Sequence, residues 1–163
     1  MNDIDPEDAE AFFDGGVACS GKGEYDKAIA DYTRAIEIDP IFVDAYINRG
    51  FAYGQKGELD KAIADFNKAL EIDPRYAEAY YNRGSAYHHK GEFDKAIADY
   101  TKAIEINSMV VDAHSSRGNT YREKGELDKA LQDFETFLQL APNHPLAAQV
   151  REEINQLKEQ LRR

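Results

Sequence analysis

Tryptophan is absent, cysteine occurs once and proline five times in 163 residues. One cysteine, Cys19, excludes an internal disulfide and favours a reducing compartment. No apolar run approaches the ~20 residues of a spanning helix, which argues against membrane insertion. Basic residues are also short: 20 Lys and Arg stand against 31 Asp and Glu, a formal net charge of -11. That balance argues against nucleic acid, whose phosphates require Lys and Arg clusters. It favours basic or mixed-charge partners. The opening Met1-Asn2-Asp3-Ile4-Asp5 lacks the basic and apolar regions of a signal peptide, so a cytoplasmic location is expected.

What is present is a repeat. Lys22-Gly23-Glu24 returns as Lys56-Gly57-Glu58, Lys90-Gly91-Glu92 and Lys124-Gly125-Glu126, always at the same interval. Gly16, Gly50, Gly84 and Gly118 form a second column. Ala28, Ala62, Ala96 and Ala130 form a third, and Tyr32, Phe66, Tyr100 and Phe134 a fourth.

Each copy reads as two helices. Tyr46, Ile47, Phe51 and Tyr53 have helical rather than strand spacing. Gly57 suits the left-handed residue that ends a helix, with Lys56 near the negative end of its dipole. Leu59, Ala62, Ile63, Phe66, Ala69 and Leu70 then form one apolar stripe, stopped at Asp73-Pro74. Helices this short are marginal alone, so each must bury its stripe against a neighbour. Gly50, Ala62 and Ala69 predict close helix approach, with Tyr46, Tyr53 and Phe66 filling the space around it. After Pro142 and Pro145, the residues Leu146, Val150, Ile154, Leu157 and Leu161 make an amphipathic helix, which predicts a C-terminal cap.

Aromatic, Gly, Tyr, Ala, Tyr or Phe, Ala and Pro at this period resemble the tetratricopeptide repeat over about residues 9–142. The resemblance implies an all-α, right-handed superhelical solenoid of antiparallel helix pairs. The four repeats are expected at 9–42, 43–76, 77–110 and 111–144, after a flexible acidic segment 1–8 and before a capping helix at 145–163. Departures from the pattern are local. Gly15 stands where other copies carry Arg49, Arg83 and Arg117; Cys19 replaces a tyrosine, His114 an aromatic, Ser108 a proline and Phe137 an alanine.

Several segments imitate chemistry. Gly16 to Gly23 nearly spells a phosphate loop, but Gly23 stands where Ser or Thr is required, and the segment closes a helix instead of opening one. Cys19 occupies a core column and has no His and carboxylate pattern for catalysis. His88 and His89 point in different directions and lack a ligand at helical spacing, so no metal is expected. No cofactor is indicated, no carboxylate pair is marked for acid–base work, and an enzyme is the least favoured class. Asp31, Asp65 and Asp99 precede Arg49, Arg83 and Arg117 by one constant interval, which predicts ion pairs between successive repeats in preference to partner-binding arginines.

The resemblance also implies that the first helix of each repeat lines a concave groove for a peptide or helix. The matching columns supply the candidate contacts. Glu10, Asp44, Glu78 and Asp112 form an acidic rail. Phe13, Ile47, Tyr81 and Ser115 follow, then Asp14, Asn48, Asn82 and Ser116, of which the two asparagines carry amides that suit a peptide backbone. Val17, Phe51, Ser85 and Asn119 complete the centre, with His88 and Arg122 farther along. The groove runs from apolar to polar, so the expected ligand carries hydrophobic anchors flanked by Lys or Arg. One family subset clamps the C-terminal carboxylate of heat-shock chaperones with Lys, Asn and Arg; here the flanking positions are Phe13, Val17, Glu78 and Asp112, which opposes that ligand. The alternative is self-assembly through repeat one, weakened by Gly15, Gly16 and Cys19, with Phe12 and Phe13 imperfectly covered.

Overall fold

Lysine–glycine turns fold the chain into hairpins. A computed structural model describes residues 6–108 and 110–162, with side chains from residue 8. Gly23, Gly57, Gly91 and Gly125 have φ of 74°, 75°, 75° and 79°, the left-handed region where a side chain is strained. At Gly57 the helix end closes with two bonds: Gly57 N–H donates to Gly54 O at 2.9 Å, and Glu58 N–H to Tyr53 O at 2.9 Å. These satisfy carbonyls that a helix end otherwise leaves unpaired. The same pair of bonds recurs in all four turns.

The described residues form nine helices and no strand: α1 (Pro6–Gly21), α2 (Tyr25–Ile38), α3 (Val43–Gln55), α4 (Leu59–Ile72), α5 (Ala77–His89), α6 (Phe93–Ile106), α7 (Val111–Glu123), α8 (Leu127–Leu140) and α9 (Ala147–Leu161). Residues 1–5 of the segment expected to be loose lie outside the described residues. Its remainder is helical, because α1 begins at Pro6, and proline suits the first helical position. Helices pair as α1/α2, α3/α4, α5/α6 and α7/α8, and each even helix packs on the next odd one. The odd helices α1, α3, α5 and α7 also touch in succession, whereas the even ones diverge. The odd helices therefore form the inner, concave layer of an all-α tetratricopeptide-type solenoid.

Close approach within each hairpin follows from the glycine column. A Cβ on Gly50 would lie 2.8 Å from the Phe66 ring, and one on Gly16 would lie 2.5 Å from that of Tyr32. Ala28, Ala62, Ala96 and Ala130 are fully buried. One core cluster joins Tyr46, Ile47, Phe66 and Leu70 to Ala79 of the following repeat. At the far end α9 packs on α8, seating Val150, Ile154 and Leu157 against Phe134 and Phe137. Leu146 and Leu161 of the same stripe remain 42% and 41% exposed, so the cap uses only its centre.

The arginine pairs differ from expectation. Arg49 binds Asp65, Arg83 binds Asp99 and Arg117 binds Asp133, all on the second helix of the same repeat. The link to the preceding repeat runs instead through Nη1, which donates to Thr33 Oγ1 at 3.0 Å from Arg49, to Asn67 Oδ1 at 2.7 Å from Arg83 and to Thr101 Oγ1 at 2.8 Å from Arg117. A second link comes from the turn lysines: Lys56 meets Asp26 at 2.6 Å, Lys90 meets Asp60 at 2.5 Å and Lys124 meets Asp94 at 2.5 Å.

Candidate functional site: the concave groove

Helices α3, α5 and α7 present successive faces to the concavity, and two clefts open between them. The first, about 210 Å³, is lined by Phe51, Gln55, Leu59, Phe66, Tyr81, Asn82, Ser85 and His89 among others. The second, about 140 Å³, is lined by Ser85, His88, His89, Tyr100, Ser116 and Asn119. They share Ser85 and His89. Phe51, Tyr81, Asn82, Ser85, His88 and Asn119 of the candidate contacts are thus brought together. His89, which sequence reading considered only as a metal ligand, joins them; it stands one position past the His88 column, on the edge facing α3.

Among the groove columns, the exposed large apolar side chains lie in the first two repeats. Val17 is 45% exposed and Phe51 41%. Phe13 is half-buried, its ring centroid 4.9 Å from Phe42 and 5.8 Å from Tyr32. Tyr81 sits likewise, 5.8 Å from Tyr100. Burial holds the Tyr100 phenol above its ordinary value, assisted by Tyr81 and opposed by hydrogen bonds with Ser85 and Ser116. Tyr100 thereby brings a polar group to the floor of the second cleft.

Three columns need correction. Ile47 and Ser115 are 3% and 6% exposed and belong to the packing between helices, out of a ligand's reach. Asp44 is occupied: it accepts a hydrogen bond from the Tyr76 hydroxyl, and that bond, with burial, holds the phenol above its ordinary value. Asp112 lies 3.5 Å from His144 Nε2 and stays exposed. Glu10, Glu78 and Asp112 are the exposed carboxylates of the rail, with Asp14 also exposed beside Glu10. Asn48 donates its amide to Asp44 O at 2.9 Å, so its donors are partly committed to its own helix.

The polar end is braced. His88 Nδ1 lies 2.9 Å from Thr120 Oγ1, and its Nε2 lies 3.4 Å from Glu123. Arg122 pairs with Glu153 of α9 at 3.0 Å. These side chains tie α5 to α7 and α7 to the cap, which stiffens that half of the groove. No group of three or more His, Cys, Asp or Glu with metal-holding geometry occurs among the described residues. No helix among them is long and apolar enough to cross a membrane.

Comparison with known proteins places this architecture. A family model described as TPR repeat matches residues 16–57 and 55–91, and one described as tetratricopeptide repeat matches 77–109 and 111–144. The chain belongs to the tetratricopeptide repeat family, and its fold is that of a protein-interaction scaffold. One crystal structure of MamA is 32% identical, with a TM-score of 0.79 over 88% of this chain and 82% of that one. Another, of MamA protein, is 28% identical with a TM-score of 0.78, covering 96% and 89%. The first TPR of Spaghetti (RPAP3), bound to the HSP90 peptide SRMEEVD, is 27% identical with a TM-score of 0.69, covering 74% of this chain and 94% of that domain. No curated protein matches the chain.

Proposed function

We propose that the protein is an adaptor that holds a peptide or helix along α1, α3, α5 and α7, with hydrophobic anchors in the clefts and Lys or Arg against Glu10, Asp14 and Glu78. The observation that carries this reading is the cleft between α3 and α5. It joins exposed Phe51 and half-buried Tyr81 to Asn82, whose amide makes no hydrogen bond within the described residues. An apolar side chain fills such a hollow, while a free amide bonds the backbone beside it. Val17 extends the apolar surface toward repeat one. His88 and Asn119 supply polar contacts toward repeat four, beside the Arg122–Glu153 pair.

The neighbour bound to SRMEEVD supports peptide holding as a use of this groove shape. Its acidic ligand is a poor fit here, because Glu10 and Glu78 stand exposed along the groove and like charges repel across it. No catalytic role is proposed, and a cytoplasmic setting fits the single cysteine.

The test is an affinity comparison by fluorescence polarisation. Peptides with Leu or Phe anchors flanked by Lys are expected to bind the full chain. The same anchors flanked by Glu are expected to bind at least about tenfold more weakly. Phe51→Ala with Tyr81→Ala is expected to abolish the difference. Equal affinity for both peptide sets would contradict the reading.

Self-assembly remains the second reading, favoured by Phe12 and Val17 at 39% and 45% exposure in the first repeat. Light scattering that reports a strict monomer at all concentrations removes it.

A further inference from the structure

Three repeats hold a guanidinium in the same seat. Arg49 donates to Asp65 at 2.8 and 2.7 Å and lies over the Tyr46 ring, 5.7 Å from its centroid. Arg83 donates to Asp99 at 2.7 Å twice and lies 5.4 Å over Tyr80. Arg117 donates to Asp133 at 2.8 Å twice, beside His114 in the same aromatic column. The remaining donor of each reaches the preceding repeat, so the seat lies on the edge that one repeat turns toward the one before.

Repeat one keeps two of the three parts. Phe12 stands in the column of Tyr46 and Tyr80, and Asp31 in the column of Asp65, Asp99 and Asp133. The arginine is Gly15. A Cβ there would lie 3.1 Å from Asp31 Oδ2, so the carboxylate leans over bare backbone. Among the described residues Asp31 meets no cation; its side-chain neighbour is the Cys19 thiol at 3.9 Å. Phe12 is 39% exposed, where Tyr46 is 8%. A hollow of about 250 Å³ adjoins it, lined by Asp8, Phe12, Arg34, Glu37 and Ile38.

We propose that this edge of repeat one docks an arginine of a partner polypeptide other than a second copy of this chain. The guanidinium takes the place that Arg49 fills one repeat on, bidentate on Asp31 and flat on Phe12, and an apolar neighbour of that arginine enters the adjoining hollow. A planar fork fits a carboxylate with an aromatic wall, whereas an ammonium makes one point contact. The site lies on the edge of repeat one between α1 and α2, outside the concave groove, and stands whether or not the groove reading does.

The experiment follows backbone amide NMR signals of the full chain against two capped tripeptides, acetyl-Leu-Arg-Leu-amide and its lysine counterpart. The arginine peptide is expected to shift Phe12, Gly15 and Asp31 and to bind at least about fivefold more tightly than the lysine peptide. Asp31→Asn is expected to remove the response. Gly15→Arg is expected to remove it by filling the seat from within, and to raise the melting temperature. Should Gly15→Arg fail to fold, Asp31→Asn alone decides. Equal binding of the two peptides, or an arginine response that survives these substitutions, overturns the proposal. Concentration-dependent light scattering that Gly15→Arg abolishes would seat a second copy's arginine there and overturn the choice of a different partner.

Discussion

Arg83 grips Asp99 with two hydrogen bonds of 2.7 Å, from Nε and Nη2 to separate carboxylate oxygens, across the two helices of one repeat. Both side chains are largely covered, at 20% and 9% exposure. Removing one partner therefore costs more than the under ~1 kcal/mol of a surface pair, and less than the ~3–5 kcal/mol of a fully buried one. Arg83→Ala and Asp99→Ala in a double-mutant cycle are expected to show a coupling of about 2 kcal/mol by denaturant unfolding. The cycle of Asp65 with Arg83 is expected to stay within about 0.5 kcal/mol.

The hairpin interiors give a packing prediction. Gly50 sits against the Phe66 ring, and Ala62 is fully buried beside it. Ala62→Leu is expected to cost about 1–3 kcal/mol by overpacking, lowering the melting temperature by roughly 2–4 °C per kcal/mol. Gly50→Ala gains up to about 1 kcal/mol of helix propensity but forces the ring aside, so a net loss is expected. A melt unchanged by Ala62→Leu would mean that the helices approach elsewhere.

The turn carboxylates set an acid limit. Bonding first to Lys56 and then to Lys61 lowers Glu58 from 4.5 to about 2. A carboxylate depressed in the folded state stabilises it above the unfolded value, and that contribution disappears as pH falls from about 4.5 through about 2. Glu24, Glu92 and Glu126 are lowered in the same direction by their own lysines. Glu58→Gln is expected to shrink the fall in melting temperature between pH 5 and pH 2. Because the group is partly exposed, added salt shrinks the wild-type fall as well.

The cap gives a fourth prediction. Leu157 is 1% exposed and packs with Phe134 and Phe137. Leu157→Ala is expected to cost about 2–4 kcal/mol, read by urea unfolding, whereas Leu161→Ala, at 41% exposure, stays within about 0.5 kcal/mol.

Much of the fold was legible because a hairpin repeated at a fixed period imposes the same glycine, alanine and aromatic demands each time. The partner of each arginine was not. Asp65 stands almost equally far along the chain from Arg49 before it and Arg83 after it, so periodicity alone cannot choose between repeats. The choice is made by which helix the guanidinium faces, a tertiary fact. The groove was legible by column but not by occupancy. Ile47 and Ser115 share a column with half-buried Phe13 and Tyr81 yet turn fully into the packing. His88 and Arg122 are engaged by Thr120 and Glu153, groups distant in sequence that only stacking brings near.

Everything proposed for the groove depends on the inner helices holding a guest chain. Chemical-shift mapping of a lysine-flanked, leucine-anchored peptide on the full protein tests it most directly. Shifts are expected at Phe51, Tyr81, Asn82, Ser85 and His89 on α3 and α5. Shifts confined to α2, α4 and α6, or none at saturating peptide, would contradict it.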